Sequence, residues 1–127
     1  MSAASIARDL LDLLRRAADD AEALAPALGR LETTALLDWS AERESSRERA
    51  GRLERALRDA LGDGPRSEEE EALLAAIRRE ASRLRQIDGD NAALVARTLR
   101  VVRGYVQALA PAPEAYDRRG LARNGAR

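Results

Sequence analysis

The chain has 127 residues, and its 22 basic side chains, all arginine, balance 22 acidic ones; cysteine and histidine do not occur. That length suits one domain with one core. The missing residues exclude disulfides, thiolate chemistry, and the commonest general base and metal ligand. Zero net charge disfavours a general nucleic-acid binder.

Trp39, Tyr105 and Tyr116 are the only aromatics. A composition of Ala, Leu, Arg and Glu with helical periodicity signals long helices or coiled coil. Ala and Leu without large rings suit close helix–helix seams and poorly suit a deep small-molecule pocket. No apolar run approaches the roughly 18–20 residues of a membrane span. The start of the chain lacks the charged and apolar regions of a signal peptide, so the protein is expected to stay where it is made.

The first helix is expected over about residues 4–25. Ile6, Leu10, Leu13, Leu14, Ala17, Ala21 and Leu24 recur at steps of three and four, which keeps one face apolar. Pro26 lacks the backbone donor a helix needs and clashes with the preceding turn. A break or kink is therefore expected there, with Gly29 supporting the joint.

The second helix is expected from about residue 28 to 61. Leu28, Leu31, Ala35 and Trp39 make one apolar row, and Ala50, Leu53, Leu57 and Leu61 make another. Residues 40–49 between them are almost wholly polar, which predicts a weakly buried middle, frayed near Ser45, Ser46 and Gly51. Glu48/Arg52 and Glu54/Arg58, four apart, add roughly 0.2–0.5 kcal/mol each.

Gly62-Asp63-Gly64-Pro65 is the clearest loop. Ser67 then precedes Glu68, Glu69, Glu70 and Glu71. Ser67 with Glu70 forms a capping box, and the carboxylates face the positive end of the helix dipole. Helix-start chemistry accounts for these four residues better than a metal site does.

The third helix is expected over about residues 67–110, with Leu73, Ile77, Leu84, Ile87, Val95, Leu99, Val102, Val106 and Leu109 along its apolar row. Near Ile87, Asn91 and Val95 the steps resemble a stutter, and Gly89 adds a cost of about 1 kcal/mol. A kink near residues 88–91 is expected. Asp88-Gly89-Asp90-Asn91 lacks the remaining ligands of a calcium loop. Arg97, Arg100 and Arg103 form a basic stripe, which zero net charge and scarce aromatics assign to a solvated face rather than to nucleic acid. Pro111 and Pro113 end the helix. The tail, residues 111–127, buries little and is expected to be mobile in isolation.

No catalytic constellation is present. Ser-His and Cys-His triads cannot be built, nor can Glu-x-x-His metal pairs, and there is no phosphate-binding loop. The expectation is a non-enzymatic, all-α protein without cofactor or metal. Its architecture is an elongated three-helix antiparallel bundle or coiled coil over residues 1–110, with a long last helix and a flexible tail. A second helix of about 34 residues spans ~51 Å and a third of about 44 spans ~66 Å. The third should therefore overhang by about ten residues, roughly 15 Å, over residues 101–110. An apolar stripe without intrachain cover is a candidate binding surface.

The layout resembles the FlgN-type flagellar export chaperones. Asn91-Ala92-Ala93-Leu94-Val95, the run on to Leu109, and Ala115-Tyr116-Asp117-Arg118-Arg119-Gly120 after a proline-containing spacer carry the resemblance. Pro26 and the polar stretch 40–49 depart from the family's leucine-richer pattern. The resemblance implies a cytoplasmic chaperone that holds the C-terminal region of hook-associated proteins against its last helix. It would prevent their premature assembly and deliver them to the type III export gate. Val95, Leu99, Val102, Tyr105, Val106 and Leu109 would face the client, and Tyr116 would dock to the cytoplasmic domain of the gate.

Three other readings compete. A structural coiled coil could self-associate, as a homodimer, through the same stripe. A secreted two-helix effector would need a Trp-x-Gly turn, whereas Trp39 is followed by Ser40 and Ala41. A nucleic-acid adaptor comes last.

Overall fold

The computed structural model describes residues 1–110. These form three helices, α1 (Ala3–Gly29), α2 (Thr33–Leu61) and α3 (Glu68–Leu109), with no strand among the described residues. The fold is an all-α helical bundle. The chain divides into one unit over residues 1–96 and a second from Arg97 onward. The tail 111–127, with Tyr116, lies outside the described residues.

The first unit is built around α1. Every buried apolar residue except Leu57 lies on this helix, from Ala3 and Ile6 through Leu10, Leu11, Leu13 and Leu14 to Ala18, Ala21 and Leu28. A face this wide is packed from two sides. Ala50, Leu53 and Leu61 of α2 cover part of the buried cluster, and Leu73, Leu74, Ile77, Ala81 and Leu84 of α3 cover the rest. The chain order of cross-links gives the helix directions. Arg8 pairs with Glu69, and Arg83 Nη2 lies 2.9 Å from Asp19 Oδ1. Asn91 Nδ2 donates to the Ala21 carbonyl at 2.9 Å. Ascending positions on α1 thus meet ascending positions on α3, so these two helices run parallel. Arg43 of α2 faces Asp88 of α3, on the return path. The topology is up-down-up.

The helix ends follow local chemistry. Ser2 Oγ accepts from the Ser5 amide at 3.1 Å and caps α1. Ser67 Oγ accepts from the Glu70 amide, and Glu70 Oε1 accepts from the Ser67 amide, at 3.1 and 2.9 Å. This is the capping box expected from the sequence.

Three expectations are corrected. First, α1 does not end at residue 25: Pro26 lies inside the helix, which continues to Gly29. The lost hydrogen bond falls near the end of the helix, and Leu28, fully buried, holds the last turn on the core. Second, the joint is residues 30–32. Leu31 takes the left-handed conformation (φ 54°). The Leu31 amide donates to the Leu28 carbonyl at 3.1 Å, and the Glu32 amide donates to the Ala27 carbonyl at 3.2 Å. These two bonds make a Schellman stop, a role usually given to glycine. Leu28 therefore closes α1 rather than opening α2, and α2 has 29 residues. Third, α2 runs unbroken through Ser45, Ser46 and Gly51. α3 is one continuous helix across Gly89. There Asn91, buried at 3 % exposure, ties α3 to α1 two residues beyond the glycine.

Candidate functional site

In the second unit, residues 101–110 are all exposed. Among them and just before them stand Leu99, Val101, Val102, Tyr105, Val106 and Leu109, at 42 %, 68 %, 45 %, 68 %, 58 % and 70 % exposure. At about 100° per residue these six side chains cover an arc of roughly 160°, broader than the ~100° stripe of an ordinary half-buried helix. Arg97, Arg100 and Arg103 project from the opposite side of the same turns. Valine is a poorer helix former than Ala, Glu or Arg, so solvent-facing Val101, Val102 and Val106 are not explained by helix propensity. An exposed run of large apolar side chains marks a surface that pairs with something.

The six client-facing residues expected from the sequence divide. Leu99, Val102, Tyr105, Val106 and Leu109 belong to this exposed arc. Val95 is half-buried and belongs to the first unit. Val101 joins the exposed set, although a strict three-four row omits it. Tyr116, the expected gate-docking residue, is outside the described residues.

A second candidate lies in the first unit and was not expected from the composition. The inward row of α2 is a continuous three-four series: Leu36, Trp39, Arg43, Ser46, Ala50, Leu53 and Leu57 are all at least half-buried. Two of its positions, Arg43 and Ser46, are not apolar. Where they pass α1 the core thins, and a cleft of about 230 Å³ opens among Leu14, Ala17 and Leu24 of α1, Trp39 and Arg43 of α2, and Leu84 of α3. The Arg43 guanidinium carbon lies 5.2 Å from the Trp39 ring centre, in cation–π range. Arg43 Nε is 3.3 Å from Asp88 Oδ2, close as a charge pair but too poorly aligned to be a hydrogen bond. Trp39 Nε1, Arg43 Nε and Asp88 Oδ1 are buried without a hydrogen-bond partner among the described groups.

The remaining charge network is structural. Arg83 bridges Asp19, Glu22 and Glu80, with contacts of 2.9, 3.3 and 3.2 Å. Hydrogen bonds to Asp19 and then Glu80 raise its pKa above the usual arginine value, so it stays a cation. Pairs this exposed fix orientation more than they stabilise.

No family model matches the chain, and no curated protein or solved structure is significantly similar to it. No helix among the described residues is long and apolar enough to cross a membrane.

Proposed function

We propose that residues 99–109 of α3 form a docking face for an amphipathic helix of a partner protein, and that the chain acts by binding, without catalysis. The observation that carries this is the exposed apolar arc from Leu99 to Leu109. A partner helix laid along it would bury side chains at three-four spacing in the helix-in-groove manner. The resemblance of the C-terminal third to FlgN-type chaperones supplies the partner's identity. On that reading the clients are the C-terminal regions of hook-associated flagellar proteins, held in the cytoplasm until handed to the type III export gate. Tyr116 then makes a separate contact with the gate's cytoplasmic domain.

Calorimetric titration of the full chain with C-terminal segments of hook-associated proteins tests the proposal. A saturable complex that protects the amides of residues 99–109 from exchange supports it. Absence of binding to any such segment removes the flagellar assignment, and a complex that protects only the first unit removes the docking face. The same three-four spacing would also suit a second copy of this chain. Light scattering distinguishes that case, since a stable homodimer closed through residues 99–109 favours a self-associating coiled coil. The division of labour has its own test. Tyr116→Ala should retain client binding and lose export, and loss of client binding in that variant would contradict it.

A further inference from the structure

Zero net charge conceals a segregation along the chain. Residues 1–90 carry 20 acidic side chains against 15 arginines, whereas residues 91–127 carry two against seven. From Asn91 to Pro113 there is no Asp or Glu, and Arg97, Arg100 and Arg103 all fall there. The docking face therefore lies on a helical stretch with no negative side chain. The three arginines are exposed and stand three residues apart, so they repel one another along the helix, with no acid three or four residues away to offset them. None stands in the last turn of α3, where the helix dipole would favour a cation. Neither local pairing nor the dipole accounts for them.

Their places on the helix are specific. Leu99 and Val101 form the two edges of the apolar arc. Arg103 follows Leu99 by four residues and Arg97 precedes Val101 by four, so each stands beside one edge. Arg100 occupies the middle of the polar side. A helix laid on the arc passes between Arg97 and Arg103, and its own bordering positions face them, as flanking charges face each other in a coiled coil. Acidic borders are attracted there and basic borders are repelled. A second copy of this stretch brings only arginines to the seam. Residues 111–127, with four arginines against two acids, do not supply the complement either. A nucleic-acid backbone would pair with the arginines and leave the apolar arc uncovered. An anionic membrane is an extended surface, so it attracts this stretch and repels the surplus acid of residues 1–90, whereas a single acidic helix meets only the arc.

We infer that the face on residues 99–109 takes a helix whose apolar stripe is bordered by Asp or Glu, with Arg97 and Arg103 pairing to the two borders. The inference rests on that face being a docking site and names the chemistry of its occupant. Acids brought to the borders also offset the repulsion among the three arginines.

The full chain is titrated calorimetrically with three synthetic amphipathic helices. They share one leucine stripe at three-four spacing and carry Glu, Gln or Lys at the positions bordering it. The Glu helix should bind at least about tenfold more tightly than the Lys helix, with the Gln helix between them, and the spread should shrink as salt rises from about 0.05 to about 0.5 M. Arg97→Glu with Arg103→Glu should reverse the order, whereas Arg100→Glu should keep it, each with an unchanged circular dichroism spectrum. Equal affinity for the three helices, or an unreversed order in the double variant, would overturn the acidic occupant and leave the docking face standing. An equal reversal in Arg100→Glu would overturn the assignment to the borders. Binding of none of the helices would remove the docking face, and this inference with it. Protection of the amides of residues 99–109 by phosphatidylglycerol vesicles but not by the Glu helix would assign the arc to lipid. A stable dimer of the free chain closed through those residues would assign it to a second copy, and either result overturns the inference.

Discussion

Asn91 holds the register of α3 on α1, and replacing it with the isosteric acid tests that directly. Asn91 is 3 % exposed and donates from Nδ2 to the Ala21 carbonyl at 2.9 Å. In Asn91→Asp the donor becomes a carboxylate oxygen aimed at a carbonyl oxygen. The lost hydrogen bond is worth about 0.5–1.5 kcal/mol, and a buried charge without a partner raises the loss to about 3–5 kcal/mol. Asn91→Ala removes the bond without adding charge and should cost about 1–2 kcal/mol. The two variants separate further with pH. Burial beside a carbonyl raises the folded-state pKa of the introduced carboxyl above its unfolded value of about 3.9. Its penalty is therefore complete above the folded pKa and shrinks as pH falls through it, because the protonated group can donate again. Urea denaturation at about pH 7.5 and about pH 5 reads both effects. At neutral pH the acid variant should lose roughly 10–25 °C in thermal midpoint. An acid variant as stable as the alanine variant at both pH values would refute the role assigned to Asn91.

Three further predictions follow from particular contacts. A Cβ built on Gly29 would meet the Leu94 side chain at 3.6 Å, an ordinary contact. Gly29→Ala should thus stabilise the chain by about 0.5–1 kcal/mol, and a loss of that size in denaturation would show the α1–α3 approach to be tighter. Ser67→Ala removes one half of the capping box and should cost about 1 kcal/mol, with Glu70→Ala costing little more in the double variant because the two bonds act as one unit. Val102→Asp with Val106→Asp changes two exposed side chains, so helical content should hold and stability should move by about 0.5 kcal/mol or less per site. Collapse of the fold in that variant, seen by circular dichroism, would assign these residues to the core.

Most of the fold is legible in the sequence because its signals are local. Leu10, Leu13 and Leu14 recur with helical period, the Gly62–Pro65 loop contains two glycines and a proline, and Ser67 with Glu70 closes a capping box. The errors come where tertiary packing outweighs a local rule. Pro26 is a strong stop signal, yet burial of Leu28 carries the helix beyond it. Leu31 ends α1 in a conformation that composition assigns to glycine, so nothing local marks it. The polar stretch 40–49 conceals an unbroken inward row. Spacing alone places Arg43 and Ser46 between Trp39 and Ala50, but polarity masks the pattern, and with it the cleft. Leu11 and Ala18 are buried because α1 is covered from two sides, a fact of topology rather than of one helix's period. At the docking face, the sequence row identifies Leu99, Val102, Val106 and Leu109. Exposure adds Val101 and separates Val95, which the bundle half-covers.

If the exposed arc of α3 captures a partner helix, the Val102→Asp, Val106→Asp chain should lose affinity for a hook-associated C-terminal segment. Burying each valine in a complex is worth about 1.5–3 kcal/mol. Losing both should weaken binding by at least about a hundredfold, at about 1.4 kcal/mol per factor of ten. That loss should come with an unchanged circular dichroism spectrum. Binding equal to that of the parent chain, measured on the same segment, would contradict it.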